Sequence, residues 1–525
     1  MKKLFIYILC LGLFLASCVQ KAERNPNTIV NGSIGDARRL NPIIANDSAS
    51  GAINDLVFNG LVKYDKDIRL IGDLAKRWDI SSDGKTITFY LRKGVKWHDG
   101  VEFTAGDCLF TYQKLMDPKV ATPYSSSYID VLKAEVVNKY TFRVTYKEPF
   151  SPALESWGMG VIPKHLLDGK DINTDAFNRN PVGTGPYKFK EWIAGQKIVL
   201  VANDHYFEGR PYIDQFIYRI ITDSSTMFQE LLSGGVDFMG LTPLQYMRKS
   251  ETRRIRENYR KIRYPANGFT YMGYNQRNSL FTAKRVRQAL AYAIDRQSII
   301  DGIILGLGKP CTGPFSHISW AYNPKAKNYP YDPERAKRML AEAGWKDTNA
   351  DGVLEKNGRP FRFTILTNQG NNERIRAAEI IQQNFKKIGV DAKIRVMEWQ
   401  AFLQQIDEHS FEAIILGWNM GRDPDLYDIW HSSKTKKGEY NFIGYRNAEV
   451  DRLLVAGRRT FDMNARKKIY YRIHEILADE QPYAFLYVPD ATPIVHKRFK
   501  GIKPAPLGIT YNFIKWHVPK NRTEW

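Results

Sequence analysis

Between Phe361 and Leu416 the hydrophobic spacing switches repeatedly, and few folds accommodate that order of switches. Phe361 to Leu366 alternates with the two-residue period of a strand. Ile375, Ala378, Ile381, Phe385 and Ile388 then recur at helical spacing, and Gly389 follows where a helix-ending glycine belongs. Val390, Ala392, Ile394 and Val396 alternate again. Trp399, Phe402, Leu403 and Ile406 mark a second helix, and Phe411 to Leu416 a third strand. Strand, helix, strand, helix, strand predicts a mostly parallel sheet joined by right-handed crossovers. The fold class is α/β.

One such unit does not use up the chain. At ~100–200 residues per domain, 525 residues amount to roughly three or four domain equivalents. Residues 78–92 place the turn signal Ser82-Asp83-Gly84 before the alternation of Ile87, Phe89 and Leu91, which predicts a β-hairpin. Ala105 to Leu115 reads as a helix and Val136 to Tyr146 as strands. Pro and Gly cluster in Asn180 to Trp192, which puts a boundary there. Arg248 to Arg263 holds eight basic residues against two Glu. It reads as a solvated, mixed-charge face rather than as a patch for anionic headgroups or a partner.

The whole chain has Lys+Arg 77 against Asp+Glu 56, a formal charge of +21. Charge of that size alone points to nucleic acid or an anionic membrane. The first 18 residues redirect the argument. Lys2 and Lys3 precede an apolar run from Leu4 to Leu15, too short for a membrane span of ~20 residues, and the small residues Ala16 and Ser17 precede Cys18. Leu15-Ala16-Ser17-Cys18 resembles the lipobox of bacterial lipoproteins, which implies cleavage before Cys18 and lipidation of its thiol. Residues 1–17 are then a signal peptide and 18–28 a lipidated tether. The mature chain has 508 residues and a charge of +19. The protein is expected outside the cytoplasm, on the periplasmic side in a two-membrane cell, where nucleic acid is no partner. Cys108 and Cys311 are expected to stay unpaired.

Common enzyme signatures are missing. The sequence has no His-Glu-x-x-His, no Gly-x-Ser-x-Gly and no Walker phosphate loop. Gly306-Leu307-Gly308 lacks the third glycine of a dinucleotide site, and nine histidines are scattered without metal-ligand spacing. Asp347-Thr348-Asn349-Ala350-Asp351-Gly352 starts like an EF-hand loop, but its twelfth position is Gly358 where a bidentate Glu belongs. A polar hairpin turn is the better reading. Neither metal nor cofactor nor catalytic residue is assigned.

Five blocks carry a family resemblance, in the family's order. They are Leu74 to Trp78 with Ile80 to Lys85 and Thr88 to Gly100; Asn180 to Tyr187; Gly234 to Asp237; Val286 to Leu290 with Ala293 to Arg296; and Asp423 to Asp425 with Trp430 to Ser433 and Val450 to Leu454. Together they identify the chain as similar to the solute-binding proteins of peptide ABC importers, solute-binding family 5. The resemblance implies a two-lobed periplasmic-binding-protein fold (type II, large peptide-binding class). Lobe I would combine residues 29–57, 182–273 and 488–525, with an accessory domain at 58–181, and lobe II would be 274–487. The lobes would join near Tyr274-Asn275 and Tyr487-Val488 and close over ligand by hinge motion. It also implies a monomer that delivers short peptides to an ABC permease. Other cargoes of the fold are nickel complexes, haem or oligosaccharide. Outside the family, an envelope hydrolase or a lipoprotein binding a macromolecule are the competing readings.

The resemblance assigns ligand contacts residue by residue. Asn46, Asp47 and Ser48 resemble a lobe I loop that pairs with peptide backbone, and Tyr124 and Tyr271 resemble cleft tyrosines. Trp399 and Trp418 look like two cleft tryptophans, with Asn419 beside the second; Asn275 and Tyr487 lie at the expected lobe junctions. In many peptide binders an Asp stands three residues after the second tryptophan and neutralises the ligand ammonium. Gly421 stands there in this chain, which leaves Asp423 as the substitute anchor.

Overall fold

The computed structural model describes residues 25–519, so Cys18, the leader and most of the tether lie outside the described residues. Two seven-stranded sheets and a four-stranded one form the frame. In the first sheet the order is Tyr259–Lys261, Pro493–His496, Phe238–Gly240, Thr28–Ser33, Gln215–Ile220, Lys197–Ala202, Tyr187–Ile193. Thr28–Ser33 is parallel to both its neighbours, and the outer pairs are antiparallel.

Residues 75–146 supply the four-stranded sheet, ordered Ala75–Ile80, Thr86–Leu91, Thr141–Tyr146, Val131–Asn138. Its predicted hairpin turns through Gly84 at φ 69°, a left-handed conformation that suits glycine. The helix Ala105–Met116 covers it, started by a Thr104–Asp107 capping box. Phe89, Phe142 and Trp157 belong to the same hydrophobic cluster as Ile29, Tyr187 and Phe216, so this segment shares a core with the first sheet. Contact is close at the predicted 180 boundary: a Cβ on Gly183 would stand 1.8 Å from the Val57 carbonyl oxygen.

The second sheet runs Tyr264–Pro265, Tyr483–Ala491, Gly268–Tyr274, Ala413–Asn419, Arg362–Asn368, Asp391–Met397, with Gly308–Pro310 along Tyr483–Ala491. The three strands expected from the Phe361–Leu416 pattern are parallel to one another, joined by the helices Asn372–Lys386 and Trp399–Asp407. Gly389 ends the first helix at φ 76°. The sheet as a whole is mixed, because Ala413–Asn419 pairs antiparallel with Gly268–Tyr274, and that strand with Tyr483–Ala491. Those partners come from distant chain, which a local period does not reveal. Helices cover both faces and form two separate apolar clusters.

The strand Gly268–Tyr274 corrects the expected junction. It is paired along its length inside the second sheet, so the chain leaves the first sheet after Lys261 and enters the second at Tyr264, not at Tyr274-Asn275. The return falls at Thr492, between Ala491 and Pro493, four residues beyond Val488. Thr492 is fastened there by donating its hydroxyl to the Leu241 carbonyl (2.6 Å). Cys108 and Cys311 are buried free thiols in different clusters. The Asp347 loop is a hairpin turn in which Asp347 accepts the Gly352 amide (3.0 Å), and Lys346 and Glu355 bridge antiparallel.

Candidate cleft between the two lobes

A cavity of about 790 Å³ lies where the two halves meet. The halves touch around it. Tyr440 donates its hydroxyl to that of Tyr124 (3.0 Å), Ser126 donates to Asp428 (2.6 Å), and Arg38 pairs with Asp407. Gln400 donates to the Asp36 carbonyl (3.0 Å), and Asn372 to the Ser224 hydroxyl (3.1 Å).

The Ala413–Asn419 strand forms one wall. Its neighbour Arg362–Asn368 pairs with it only at Ala413 and Ile414, Thr367 then donates its hydroxyl to the Ile415 carbonyl (3.4 Å), and among the described residues no strand pairs with Gly417 to Asn419 on that side. Gly417, Trp418 and Asn419 on this stretch line the cavity. An open strand edge is a ready template for an extended peptide. Trp418 is half-buried, with its ring near-parallel to Phe442 (5.8 Å) and edge-on to Tyr440 (5.3 Å). Trp399 opens its helix on the same wall, and its buried indole N–H has no partner among the described residues.

Charge is unevenly compensated. Asp425 is held by Arg458 (2.6 Å), Asp423 by both arms of Arg466 (2.6 and 2.7 Å), and Asp428 and Glu439 by Lys434. Asp47 spends its carboxylate capping the Ser48–Val57 helix through Ser50 (2.9 and 2.6 Å). Among the described residues, Asp55 and Glu155 likewise have no cation within ion-pair distance. Asp55 is exposed on the cavity wall but surrounded by protein, and that desolvation pushes its carboxyl up to about 6. Burial also raises the Glu155 carboxyl, with Asp423 nearby adding to the shift. Gly421 lies beside this carboxylate, where a Cβ would make only an ordinary 3.9 Å contact with Glu155 Oε1, and the Asp423 amide donates to the same oxygen (3.4 Å). Of opposite sign is Arg374, whose guanidinium donates to Asn368 Oδ1 (2.9 Å) and has no carboxylate within ion-pair distance among the described residues. Burial lowers its pKa.

Of the residues expected at the ligand, Asn46, Asp47, Ser48, Tyr124, Trp399, Trp418, Asn419 and Asp423 line this cavity. Three do not. Tyr271 is fully buried behind Trp418, its ring 3.9 Å from that of Tyr483, as core packing. Asn275 ties down the carbonyls of His409 (3.1 Å) and Phe411 (2.8 Å). It follows Tyr274, which pairs with Ala413, whereas the cleft is at the Gly268–Asn419 end, roughly 20 Å along the strand. Tyr487 lies in a neighbouring cavity of about 430 Å³. Asp423 reaches the cleft, but Arg466 already neutralises it, so it is no free ammonium anchor. Glu155, Asp55 and Arg374 line the cavity without being among the residues expected there. No sequence signal marks them, because what singles them out is the absence of an opposite charge in space.

Comparison with known proteins bears on this cleft. Residues 69–440 match the model for bacterial extracellular solute-binding proteins, family 5. The oligopeptide-binding protein AppA of Bacillus subtilis is 36% identical, covering 98% of both chains. Its structure in complex with a nonapeptide superimposes with a TM-score of 0.90, covering 94% of this chain and 99% of that one. Campylobacter jejuni NikZ in complex with Ni(L-His) is 31% identical with a TM-score of 0.85, covering 94% and 99%. The chain belongs to the family 5 bacterial extracellular solute-binding proteins.

Proposed function

We propose that this protein is a non-enzymatic receptor that captures short peptides in the interlobe cleft and delivers them to an ABC permease. It acts as a monomer outside the cytoplasm, anchored by lipid on Cys18. The observation that carries the peptide reading is the cleft's uncompensated charge of both signs, beside an open strand edge. A peptide is a zwitterion with a strand-forming backbone. Its ammonium matches Glu155 and Asp55, its carboxylate matches Arg374, and its amides match the edge at Gly417 to Asn419. Burying either terminal charge without a partner costs several kcal/mol, so complementary sites select for it. An oligosaccharide needs no such pair. The NikZ relationship favours a metal chelate as the second reading.

Titration calorimetry with short peptides tests this. N-acetylation and C-amidation are each expected to weaken binding by at least ~10-fold, the scale of a lost charge-assisted bond. Glu155→Gln is expected to remove the penalty for acetylation and Arg374→Met that for amidation. Peptides bound equally well with both ends blocked would contradict the charge assignment.

A pH dependence accompanies it. Asp55, with its carboxyl at about 6, attracts the ligand ammonium above that pH and loses the attraction as pH falls through it. Affinity is expected to drop several-fold between pH 7.5 and pH 5, and Asp55→Asn to flatten that profile. An unchanged slope in the variant removes Asp55 from ligand recognition.

A further inference from the structure

The basic segment Arg248 to Arg263 has a different character in the fold than in the sequence. Its two acids are spent locally, Glu257 on Arg253 (2.7 Å) and Glu251 on Lys261. Arg248, Lys249, Arg254, Arg256 and Arg260 are exposed and have no carboxylate partner among the described residues. Chain from 240 residues away adds to them. The Lys497 amide donates to the Asn258 carbonyl (2.7 Å) and its ammonium to the Arg256 carbonyl, while Arg260 reaches the Ile502 carbonyl (3.3 Å). This brings exposed Lys497, Lys500 and Lys503 onto the same edge of the first sheet, with no acid between residues 497 and 503. Exposed Met247 sits beside Arg248 and Lys249.

The chain also enters the fold near this edge, on the central strand Thr28–Ser33. Arg498 donates to the carbonyls of Pro26 (3.1 Å) and Thr28 (2.8 Å). Thr28–Ser33 is three strand positions from Tyr259–Lys261, about 14 Å at the usual spacing. The pairings Asn31↔Phe238, Phe238↔Val495 and Arg260↔Val495 align the start of the first strand with Lys497 and the end of the Arg253–Asn258 helix. Cys18 is eight residues before Pro26, a reach of at most about 28 Å.

We infer that this basic edge is the membrane-facing surface, resting on the anionic phospholipid headgroups of the bilayer that holds the anchor. Lys and Arg side chains near a negative leaflet are attracted over about a Debye length, and a nearby tether keeps them within it. None of the eight unpaired cations on this edge lines the cleft, so headgroups held here take up no cleft residue. The orientation rests on the reading of Cys18 as the anchor; attraction of the edge to headgroups does not.

Hydrogen exchange of the full chain tests it on vesicles of phosphatidylcholine alone and with phosphatidylglycerol added. The expected result is at least ~5-fold slower exchange over residues 253–261 on the anionic vesicles only. That protection is expected to vanish in 0.5 M NaCl and in the variant R248Q/K249Q/R254Q/K503Q, whose sites are exposed and whose peptide affinity is expected to stay unchanged. Equal protection on both lipids, protection confined to another face, or persistence in the variant would overturn the inference. So would a variant that loses transport while keeping lipid protection, since that assigns the edge to the permease. Mass analysis of the Cys18 peptide reports the anchor separately: anionic protection without a lipid on Cys18 would sink the anchor and leave the charged surface standing.

Discussion

Arg458→Met is expected to destabilise the second lobe by about 3–5 kcal/mol, the cost of removing one partner from a buried ion pair. The Arg458 side chain is 5% exposed. It donates to Asp425 through two nitrogens, to the Ser126 carbonyl (3.1 Å) and to the Ser126 hydroxyl (3.2 Å), and it stacks on the Tyr427 ring (3.9 Å). Methionine retains the apolar stem but strands the Asp425 carboxylate beside Asp428. Because Ser126 belongs to the accessory segment, the same change removes a latch between the halves. Thermal unfolding should show the second-lobe transition lowered by roughly 6–20 °C, scaling from 2–4 °C per kcal/mol for a unit of this size. The double variant Arg458→Met with Asp425→Asn is expected to recover part of the loss, since it no longer buries an unpaired carboxylate. A loss under 1 kcal/mol in the single variant would mean that water, not protein, already solvates Asp425.

Trp418→Ala should weaken peptide binding by about 2–4 kcal/mol, roughly 30- to 1,000-fold, with the fold retained. The ring is a half-buried aromatic at the end of the Ala413–Asn419 strand, braced by Phe442, Tyr440 and Tyr271. Truncation removes that rigid platform and widens the cleft next to the strand edge. The hole opens to cleft water, so the stability loss should fall below the ~3–5 kcal/mol of a buried aromatic-to-alanine change. Calorimetry and denaturation on the same preparation separate the two effects. Unchanged affinity would take Trp418 out of the ligand site.

The fold was legible where hydrophobic period alone determines structure. The Phe361–Leu416 strands and helices fall within about three residues of their expected bounds, because each buries one face against the apolar clusters flanking the sheet. Less was legible about which end of a strand meets the cleft. Tyr271 lies on the strand Gly268–Tyr274 and Asn275 directly after it, four residues on, yet one backs Trp418 and the other lies at the opposite end of the sheet. Register with a strand 145 residues away decides this, and no local pattern encodes it. The same applies to charge. Asp423 resembles an anchor in sequence, but Arg466, 43 residues on, neutralises it; Glu155 carries no motif and stands uncompensated beside Gly421. Likewise, Arg248 to Arg263 reads as a solvated, mixed-charge face until the fold pairs off its two acids and adds Lys497, Lys500 and Lys503.

The central claim is that the cleft holds short peptides by backbone and terminal charge, tolerating many side chains. Native mass spectrometry of gently purified protein tests it most directly. The account predicts a set of adducts that resolves into peptides of mixed sequence and narrow length, released intact and not hydrolysed on incubation. A single homogeneous adduct with the mass of a sugar, a haem or a metal chelate would contradict it.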